Sequence, residues 1–504
     1  MPDNSHKKSF QILDLIENKL DLSAFKIQGI DVWPYIRVRF LIMYFAQIEG
    51  KLKDESYFNR LFIKFKLVAL NKNLLFSFFK SIFIKFNFNK LNKKKHLILT
   101  DVSSKRFLFN DSWYDIYTDP LLDDLLENSD DFCILETDNR FIGSKINFRP
   151  SIYIQPYIIK IFLISFFKKK PKISQDFLKN YNIYSDLLHD FKLDKFKLRL
   201  NEIRKEFTFI KNLSLFYSKI IDKVKPDLIS MIQYSGYHGS ALCYSANKLN
   251  ISSLDIQHGV QGDLHPTYHF TNFPKAGYNV LPKKFLVWSN HEKDILDKSF
   301  ENRNSVIISG NLLLNKFKSQ TNLSKNFDKI FKNKFNLVLS KKFILISLVW
   351  GEGFPDLIKD LITKSSNDYF FLIRIHPSTH KLEYKKLFKE LSQINNQNFE
   401  YAYSSKLPLH TILRNVNFHI TSVSSVVLEA LEFDVKSIVF SERGKNYYQY
   451  LIDKNKVFYL NNTKSIISFF KTNNSKKFAS LKAFNNKKIN YIQKLSLKNS
   501  FIDY

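Results

Sequence analysis

The stretch FILISLVWGEGF, residues 343–354, indicates the fold class. Its first half is a continuous apolar run, its second half contains a turn with two glycines, and the next segment, PDLIKDLITK, has a helical pattern. Continuous apolar runs bounded by turn residues are typical of strands buried on both faces, as in parallel sheets covered by helices. The stretch therefore predicts a strand–turn–helix unit of a doubly wound α/β domain.

The same unit recurs along the chain in two clusters. The first cluster contains the runs 96–100, 131–137, 227–233, 252–257, 284–288 and 305–309, and the second contains 343–349, 369–375, 416–421, 436–440 and 456–460. We predict two doubly wound Rossmann-type domains that face a cleft. The predicted units are a helical N-terminal extension (1–95), an N-terminal Rossmann-like domain (96–315), a linker (316–339), a C-terminal Rossmann-like domain (340–460) and a helical tail (461–504). Because ligands of such sheets bind beyond the carboxyl ends of the strands, the cleft is the expected site.

The composition narrows the possible partners. The 504 residues include 77 Lys and Arg against 47 Asp and Glu, which gives a formal net charge of +30. This excess fits AT-rich coding, since Lys, Asn, Ile and Phe are all frequent, and it equally fits an anionic partner. No recognisable nucleic-acid-binding module occurs, so we expect no nucleic-acid partner. Cys133 and Cys243 lie in apolar segments without metal-site spacing, which indicates buried thiols in a reducing compartment.

Two aromatic, basic stretches bear on location. LLFSFFKSIFIKFNFNK (74–90) and YIIKIFLISFFKKKPK (157–172) are both interrupted by Lys, whereas a membrane span needs about 20 apolar residues. Each stretch fits an amphipathic segment at an anionic membrane surface. It equally fits a helix that packs on the core and has its Lys residues on the solvent-exposed face. The N-terminus shows no secretion signal. We therefore expect a cytoplasmic protein, with peripheral contact at the cytoplasmic face of the inner membrane.

In the first cluster, polar residues follow the run 252–257. Gln257, His258 and Gly259 come directly after the apolar residues LDI, and Asp263 lies further along the same loop. Histidine can act as a base near neutral pH, and glycine allows close approach of backbone to a ligand. The loop is thus a candidate site for proton transfer, with Gln257 and Gly259 shaping it.

In the second cluster, three strand ends suit a phosphate. Gly351 and Gly353 flank Glu352 before a helix, a turn that offers backbone N–H groups to an anion, while Glu352 would meet a hydroxyl. The run ending IRIHP presents three further candidates, Arg374, His376 and Pro377. The third end, TSVSSVVLEAL, presents Ser424 and Ser425 before a helix, and Glu429 one turn later could accept bonds from ribose hydroxyls. Capping alone would also explain the serines.

Together these motifs resemble those of bacterial capsule and surface-polysaccharide glycosyltransferases of the GT-B type. LDIQHG resembles their QHG loop, IRIHP their His-Pro motif and TSVSSVVLEAL their serine motif. The upstream segments IQGIDVWPYIR (27–37) and 99–125 also resemble N-terminal patterns of that group. There is neither a G-x-G-x-x-G motif nor a P-loop.

The resemblance implies transfer from an activated sugar nucleotide without a metal or other cofactor. In related families the donors are CMP-sugars or, in polyol-phosphate relatives, CDP-glycerol and CDP-ribitol. By the same resemblance His376, Ser424 and Ser425 would hold the nucleotide phosphate. The general base stays open: His258 first, Asp263 second, Glu352 third.

The leading hypothesis is an inverting transferase that extends a cell-surface polysaccharide, such as capsule or lipopolysaccharide. Its partners would be a nucleotide-sugar donor and a saccharide or lipid-linked saccharide acceptor. A CDP-polyol transferase and a non-catalytic membrane-surface scaffold remain as alternatives.

Overall fold

The structure is a computed structural model that describes residues 5–48, 84–125, 131–138, 143, 146–301, 303–319, 321–349, 351–377, 379, 381–394 and 398–473. In these ranges the strands are β1 Lys26–Ile27, β2 Ile30–Asp31, β3 His96–Asp101, β4 Lys105–Phe109, β5 Ser112–Asp115, β6 Phe132–Thr137, β7 Ile152–Tyr153, β8 Leu228–Met231, β9 Ser252–Ile256, β10 Lys284–Val287, β11 Ser305–Ile308, β12 Lys342–Ser347, β13 Tyr369–Arg374, β14 Phe399–Glu400, β15 Phe418–Thr421, β16 Lys436–Val439 and β17 Val457–Tyr459.

The α-helices of the described ranges cover these sheets. They are Ser5–Glu17, Trp33–Ile48, Thr118–Leu125, Gln155–Phe167, Gln175–Asp190, Leu200–Val224, Tyr237–Lys248, Asn290–Ser299, Leu312–Lys318, Asn322–Lys334, Asp356–Lys364, Lys381–Ser392, Ala402–Lys406, Leu409–Asn415, Val426–Leu431, Glu442–Tyr447, Gln449–Ile452 and Thr463–Thr472. None of the helices in the described part of the chain has the length and apolar character needed to cross a membrane.

Two parallel sheets form the body of the molecule. The first has the order β11-β10-β9-β8-β3-β6-β7, and the second has the order β14-β13-β12-β15-β16-β17. Every pairing within each sheet is parallel. In both sheets the strand order reverses near the centre, which brings carboxyl strand ends together at a crevice. The predicted pair of doubly wound sheets is confirmed.

The apolar runs identify the central strands because burial on both faces leaves no alternation to detect. Five of the six residues of β12 are buried, and all eleven predicted runs coincide with strands. Outside these runs lie the two-residue strands β7 and β14 and two antiparallel hairpins, β1–β2 and β4–β5. Strands of two residues carry too short a pattern for periodicity to reveal.

The hairpin β4–β5 leaves the first sheet and packs into the core of the second domain. Phe107 and Tyr114 stack with ring centroids 5.3 Å apart, and the Phe107 ring lies 5.1 Å from that of Phe327. Phe327 belongs to the helix Asn322–Lys334, which lies in the predicted linker 316–339 and packs against Phe343 and Phe370 through Phe331 and Phe335. The division of the chain into domains at 96–315 and 340–460 stays a prediction.

The described part of the N-terminal extension consists mainly of two helices, with the hairpin β1–β2 between them. The helices Ser5–Glu17 and Trp33–Ile48 pack in the core of the first domain through side chains such as Leu13, Ile16 and Phe40. The predicted extension also includes residues 49–83, and the predicted tail includes 474–504; both lie outside the described residues. Most of the aromatic stretch 74–90 lies there as well. Residues 157–167 of the stretch 157–172 lie in the helix Gln155–Phe167, which buries Ile158 and Phe162.

Candidate active site

A cleft of about 590 Å³ lies between the two sheets at their carboxyl edges. The first domain lines it with residues that follow β3, β6, β8, β9, β10 and β11, and the second domain with residues that follow β13 and β15. Of the residues predicted from the sequence, those that line the cleft are His258, Arg374, His376, Pro377, Ser424, Ser425 and Glu429. Parallel strands place their ends at one edge, so chain-distant loops converge here.

His258 is the predicted base that reaches this cleft. Burial lowers the pKa of its imidazole to about 4, and its Nδ1 is buried without a hydrogen-bond partner among the described residues. The Tyr117 hydroxyl donates to the His258 carbonyl over 3.1 Å and so fixes the backbone at this point. His258 is therefore neutral at physiological pH, which is the form in which an imidazole can accept a proton.

The loop around His258 is held on both sides. Gln257 donates from Nε2 to the Gly259 carbonyl (2.8 Å) and accepts from the Trp288 N–H (2.7 Å). Further along, Arg37 donates to the carbonyls of Pro266 (2.9 Å) and His269 (2.5 Å). These contacts fit the loop-shaping role that the sequence suggests for Gln257.

Arg37 comes from the N-terminal extension and is fully buried. Its Nε donates to Glu17 over 3.1 Å, and the Trp33 indole donates to the same carboxylate over 2.7 Å. A buried ion pair with satisfied hydrogen bonds holds the segments that carry it in place. If one partner moved away, the other would remain as an unpaired buried charge, which is costly. The extension thus positions the loop that carries His258.

Asp263 and Glu352 lie outside the lining of the cleft. Asp263 is exposed, and the Ser422 hydroxyl donates to the half-buried Glu352 carboxylate. Gly351 and Gly353 are exposed, at φ of 79° and 71°, where a side chain would be strained. The glycine turn therefore lies outside the cleft lining and is joined through Glu352 to Ser422, at the strand end after β15.

Arg374, at the end of β13, is held by its backbone neighbours. Its Nη1 donates to the carbonyls of Ser404 (2.6 Å) and Leu407 (2.7 Å). Burial and, to a lesser extent, the nearby Arg106 lower the pKa of the guanidinium, Glu429 opposes them, and the result is a pKa of about 10. At physiological pH Arg374 thus remains a fixed positive charge in the cleft wall.

The serine motif lies across the cleft from His258. Ser424 Oγ accepts from the Val426 N–H (3.3 Å), and the side chain of Ser425 makes no capping bond. The helix that follows, Val426–Leu431, has six residues, so its dipole is small. The hydroxyls, rather than the helix dipole, are the groups that this motif offers to a ligand.

Glu429 is already engaged. Its Oε2 lies 2.7 Å from His410 Nε2 and accepts from Asn311 Nδ2 over 3.4 Å. Asn311 follows β11 of the first domain, so this contact joins the two domains at the edge of the cleft. Only part of the hydrogen-bonding capacity of Glu429 is left for a ribose hydroxyl.

Sequence reasoning missed several lining residues of the first domain. They are Asp101, Arg106, Tyr117, Thr137, Gln233, His238, Trp288 and Asn311. Five of them lie at the carboxyl ends of predicted strands or just beyond, which is a signal that the sequence does carry. Among the described residues, no group of three or more His, Cys, Asp or Glu is arranged to hold a metal ion. That the reaction needs no metal stays a prediction.

No protein-family model and no curated protein sequence matches this chain. The two parallel sheets and the cleft at their carboxyl edges define a GT-B-like architecture. Among solved structures the chain is similar to UDP-GlcNAc 2-epimerase from Methanocaldococcus jannaschii (15% identity, TM-score 0.44, covering 79% of this chain and 98% of that chain). It is also similar to S. aureus MnaA with UDP (13%, 0.42, 75% and 87%) and to the wall teichoic acid polymerase TagF (11%, 0.44, 88% and 92%). Likeness at this distance carries no argument about activity.

Proposed function

We propose that this chain is a metal-independent, inverting glycosyltransferase that moves a sugar from a nucleotide-activated donor, with a CMP-sugar favoured, to a growing cell-surface polysaccharide. One observation carries the proposal. His258 of the first domain and the group His376, Ser424 and Ser425 of the second line the same cleft. A candidate proton acceptor and candidate phosphate ligands thus line one cleft from two domains, which supports group transfer from a phosphate ester.

In this mechanism the acceptor hydroxyl oxygen attacks the anomeric carbon of the donor sugar while the bond from that carbon to the phosphate oxygen breaks. The hydroxyl proton passes to the His258 imidazole, and the electron pair of the broken bond stays on the phosphate. His376, Ser424 and Ser425 donate hydrogen bonds to that phosphate. An anionic donor in the cleft would raise the pKa of His258 above its value in the free protein and so strengthen the base.

Two sets of experiments test the proposal. CMP, CDP, UDP and GDP are compared by thermal shift, and we expect cytidine nucleotides to raise the melting temperature because they bind only the folded state. In a transfer assay, H376A should lower kcat by about 100-fold or more while the melting temperature without ligand stays unchanged. H189A is the matched control, since His189 is an 80% exposed histidine on a distant helix. Near-normal transfer by H376A would refute the site, and loss of activity in EDTA would refute metal independence.

A polyol-phosphate transferase that uses CDP-glycerol or CDP-ribitol is the second candidate. The cleft favours it in one respect, because the additional arginine, Arg106, could take a second phosphate. Product analysis separates the two candidates: transfer from CDP-glycerol carries phosphorus into the polymer, whereas transfer from CMP-Kdo does not. Absence of both transfer and donor hydrolysis would leave the scaffold hypothesis. We also propose that the protein works at the cytoplasmic face of the inner membrane, where a lipid-linked acceptor would be presented.

A further inference from the structure

The cleft contains two arginines besides His376 and the serines. Arg106 lies on β4 of the first domain, and Arg374 ends β13 of the second. Both line the cleft. Neither sheet alone contains this pair, which arises only where the two domains meet.

The β4–β5 hairpin explains how Arg106 reaches the cleft. Phe107 anchors the hairpin in the core of the second domain through its contacts with Tyr114 and Phe327. The register of β4 with β5 shifts between Lys105 and Phe107, so Arg106 lies at a β-bulge. Bulges redirect side chains and are common beside active sites. Arg106, at the bulge, lines the cleft, and the neighbouring Phe107 both borders the cleft and packs in the core of the second domain.

Arg374 is fixed from the other side by its bonds to the carbonyls of Ser404 and Leu407. The charge of Arg106 is close enough to lower the pKa of Arg374, and the nearby carboxylate of Glu429, itself 2.7 Å from His410, opposes that effect. Two guanidinium groups that line one cleft attract an oxyanion ligand electrostatically. Such an arrangement suits a site that is completed by a negatively charged ligand.

We propose that Arg106 and Arg374 form a subsite for a second anionic group of the ligand, separate from the phosphate held by His376, Ser424 and Ser425. This inference rests on the proposed function and narrows its substrate class to donors with two anionic groups. The second group is the further phosphate of a nucleoside diphosphate, or the carboxylate of an acidic sugar carried on CMP. Both are planar or tetrahedral oxyanions, which guanidinium groups bind in a bidentate manner.

Isothermal titration calorimetry with three ligands tests the subsite: CMP, CDP and a CMP-linked ulosonic acid. CDP and the CMP-linked ulosonic acid each carry a second anionic group. In the wild type we expect at least one of these two ligands to bind about tenfold or more tightly than CMP. In R106Q that affinity ratio should fall at least fivefold, and in R106K it should fall less, since charge is kept and the fork geometry is lost. R303Q is the matched control: Arg303 precedes β11, at the edge of the first sheet opposite the cleft, and contacts Glu301 over 3.4 Å.

Each outcome decides the question. A fall in the CDP-to-CMP ratio assigns the second group to a phosphate, and a fall in the ulosonate-to-CMP ratio assigns it to a carboxylate. Equal affinity of the wild type for all three ligands would overturn the subsite, whether or not R106Q folds, and so would equal ratios in wild type, R106Q and R303Q. If no nucleotide binds the wild type at all, the proposed function itself fails.

Discussion

At the scale of single residues, burial decides what each histidine can do. His419 lies at the centre of the second sheet, fully buried, with Nδ1 3.0 Å from Ser437 Oγ and Nε2 3.1 Å from Ser347 Oγ. Burial lowers the pKa of His419 to about 3. His419 is thus a neutral bridge between β15 and its two neighbours, whereas an unfolded chain would protonate it near pH 6.5.

This difference predicts a pH effect on stability. Between its folded and unfolded pKa values, His419 binds a proton only in the unfolded state, so its contribution to the free energy of unfolding is present above pH 6.5 and is lost as the pH falls. H419Q lacks this proton uptake. The difference in unfolding free energy between wild type and H419Q should therefore shrink by about 2 kcal/mol from pH 7 to pH 5.

Urea unfolding of both proteins at the two pH values measures that difference. Buried acids that titrate in the same range, such as Asp255 with a pKa raised to about 7 by burial, are present in both proteins and cancel. If the difference in unfolding free energy between wild type and H419Q stays constant with pH, then His419 is not protonated on unfolding.

The candidate site was predictable where a side chain directly follows a strand. His258, His376 and Ser424 were found in this way and line the cleft. The direction in which a loop leaves its strand is not encoded in so local a pattern, and therefore the sequence could not show that Asp263 and Glu352 lie elsewhere. Arg106 was not predictable at all, because a hairpin that packs against the other domain brings it to the cleft.

At the scale of elements, Gly444 fixes how the helix Glu442–Tyr447 meets the strand end after β15. A Cβ at this position would lie 2.0 Å from the Ser422 carbonyl oxygen and 3.1 Å from Val439 Cβ. Ser441 Oγ also accepts from the Gly444 N–H over 3.0 Å. Only a residue without a side chain lets the helix approach the backbone that leads to Ser424.

We therefore expect G444A to displace this backbone. The variant should lose about 1–3 kcal/mol of stability, the usual cost of overpacking, and should bind cytidine nucleotides several-fold more weakly because Ser424 moves with the strand end. Thermal unfolding and calorimetry measure the two effects. G262A is the control, since its Cβ would meet only Val260 Cγ1 at 3.7 Å. Equal behaviour of the two variants would contradict the prediction.

The central strands were predictable for a different reason from the hairpins. Runs such as 343–349 are predominantly apolar, and burial on both faces by helices favours that composition. The hairpin β4–β5 carries the mixed sequence KRFLF, with a bulge that breaks its period. A pattern of period two cannot be read across a bulge, and the aromatic residues that matter contact a domain far along the chain.

At the scale of the whole molecule, the net charge of +30 and one apolar surface suggest how the protein meets a membrane. Phe167 is 82% exposed at the end of the helix Gln155–Phe167, beside the exposed Phe166, and Lys168 and Lys169 follow it. Aromatic side chains next to lysines suit the headgroup region of an anionic bilayer.

We expect the wild-type protein to cosediment with vesicles that contain anionic lipid. The bound fraction should fall as the salt concentration is raised, because salt screens the attraction between the lysines and the anionic headgroups. F167S should reduce partitioning several-fold, since it removes apolar area from the contact. The control is L337S, because Leu337 is 91% exposed in the second domain. An equal loss of vesicle binding in F167S and L337S would indicate nonspecific hydrophobic binding rather than binding through the surface around Phe167.

The hairpin that crosses between the domains has a consequence for dissecting the protein. A fragment that starts at residue 340 would lack both Phe107 and the helix of Phe327, and would leave the aromatic faces of Phe343 and Phe370 in water. Cutting the chain once between the sheets therefore yields no self-sufficient half. A second domain that folds on its own would need residues 105–115 of the first domain as well. The two domains therefore share a core and cannot be separated by cutting one linker.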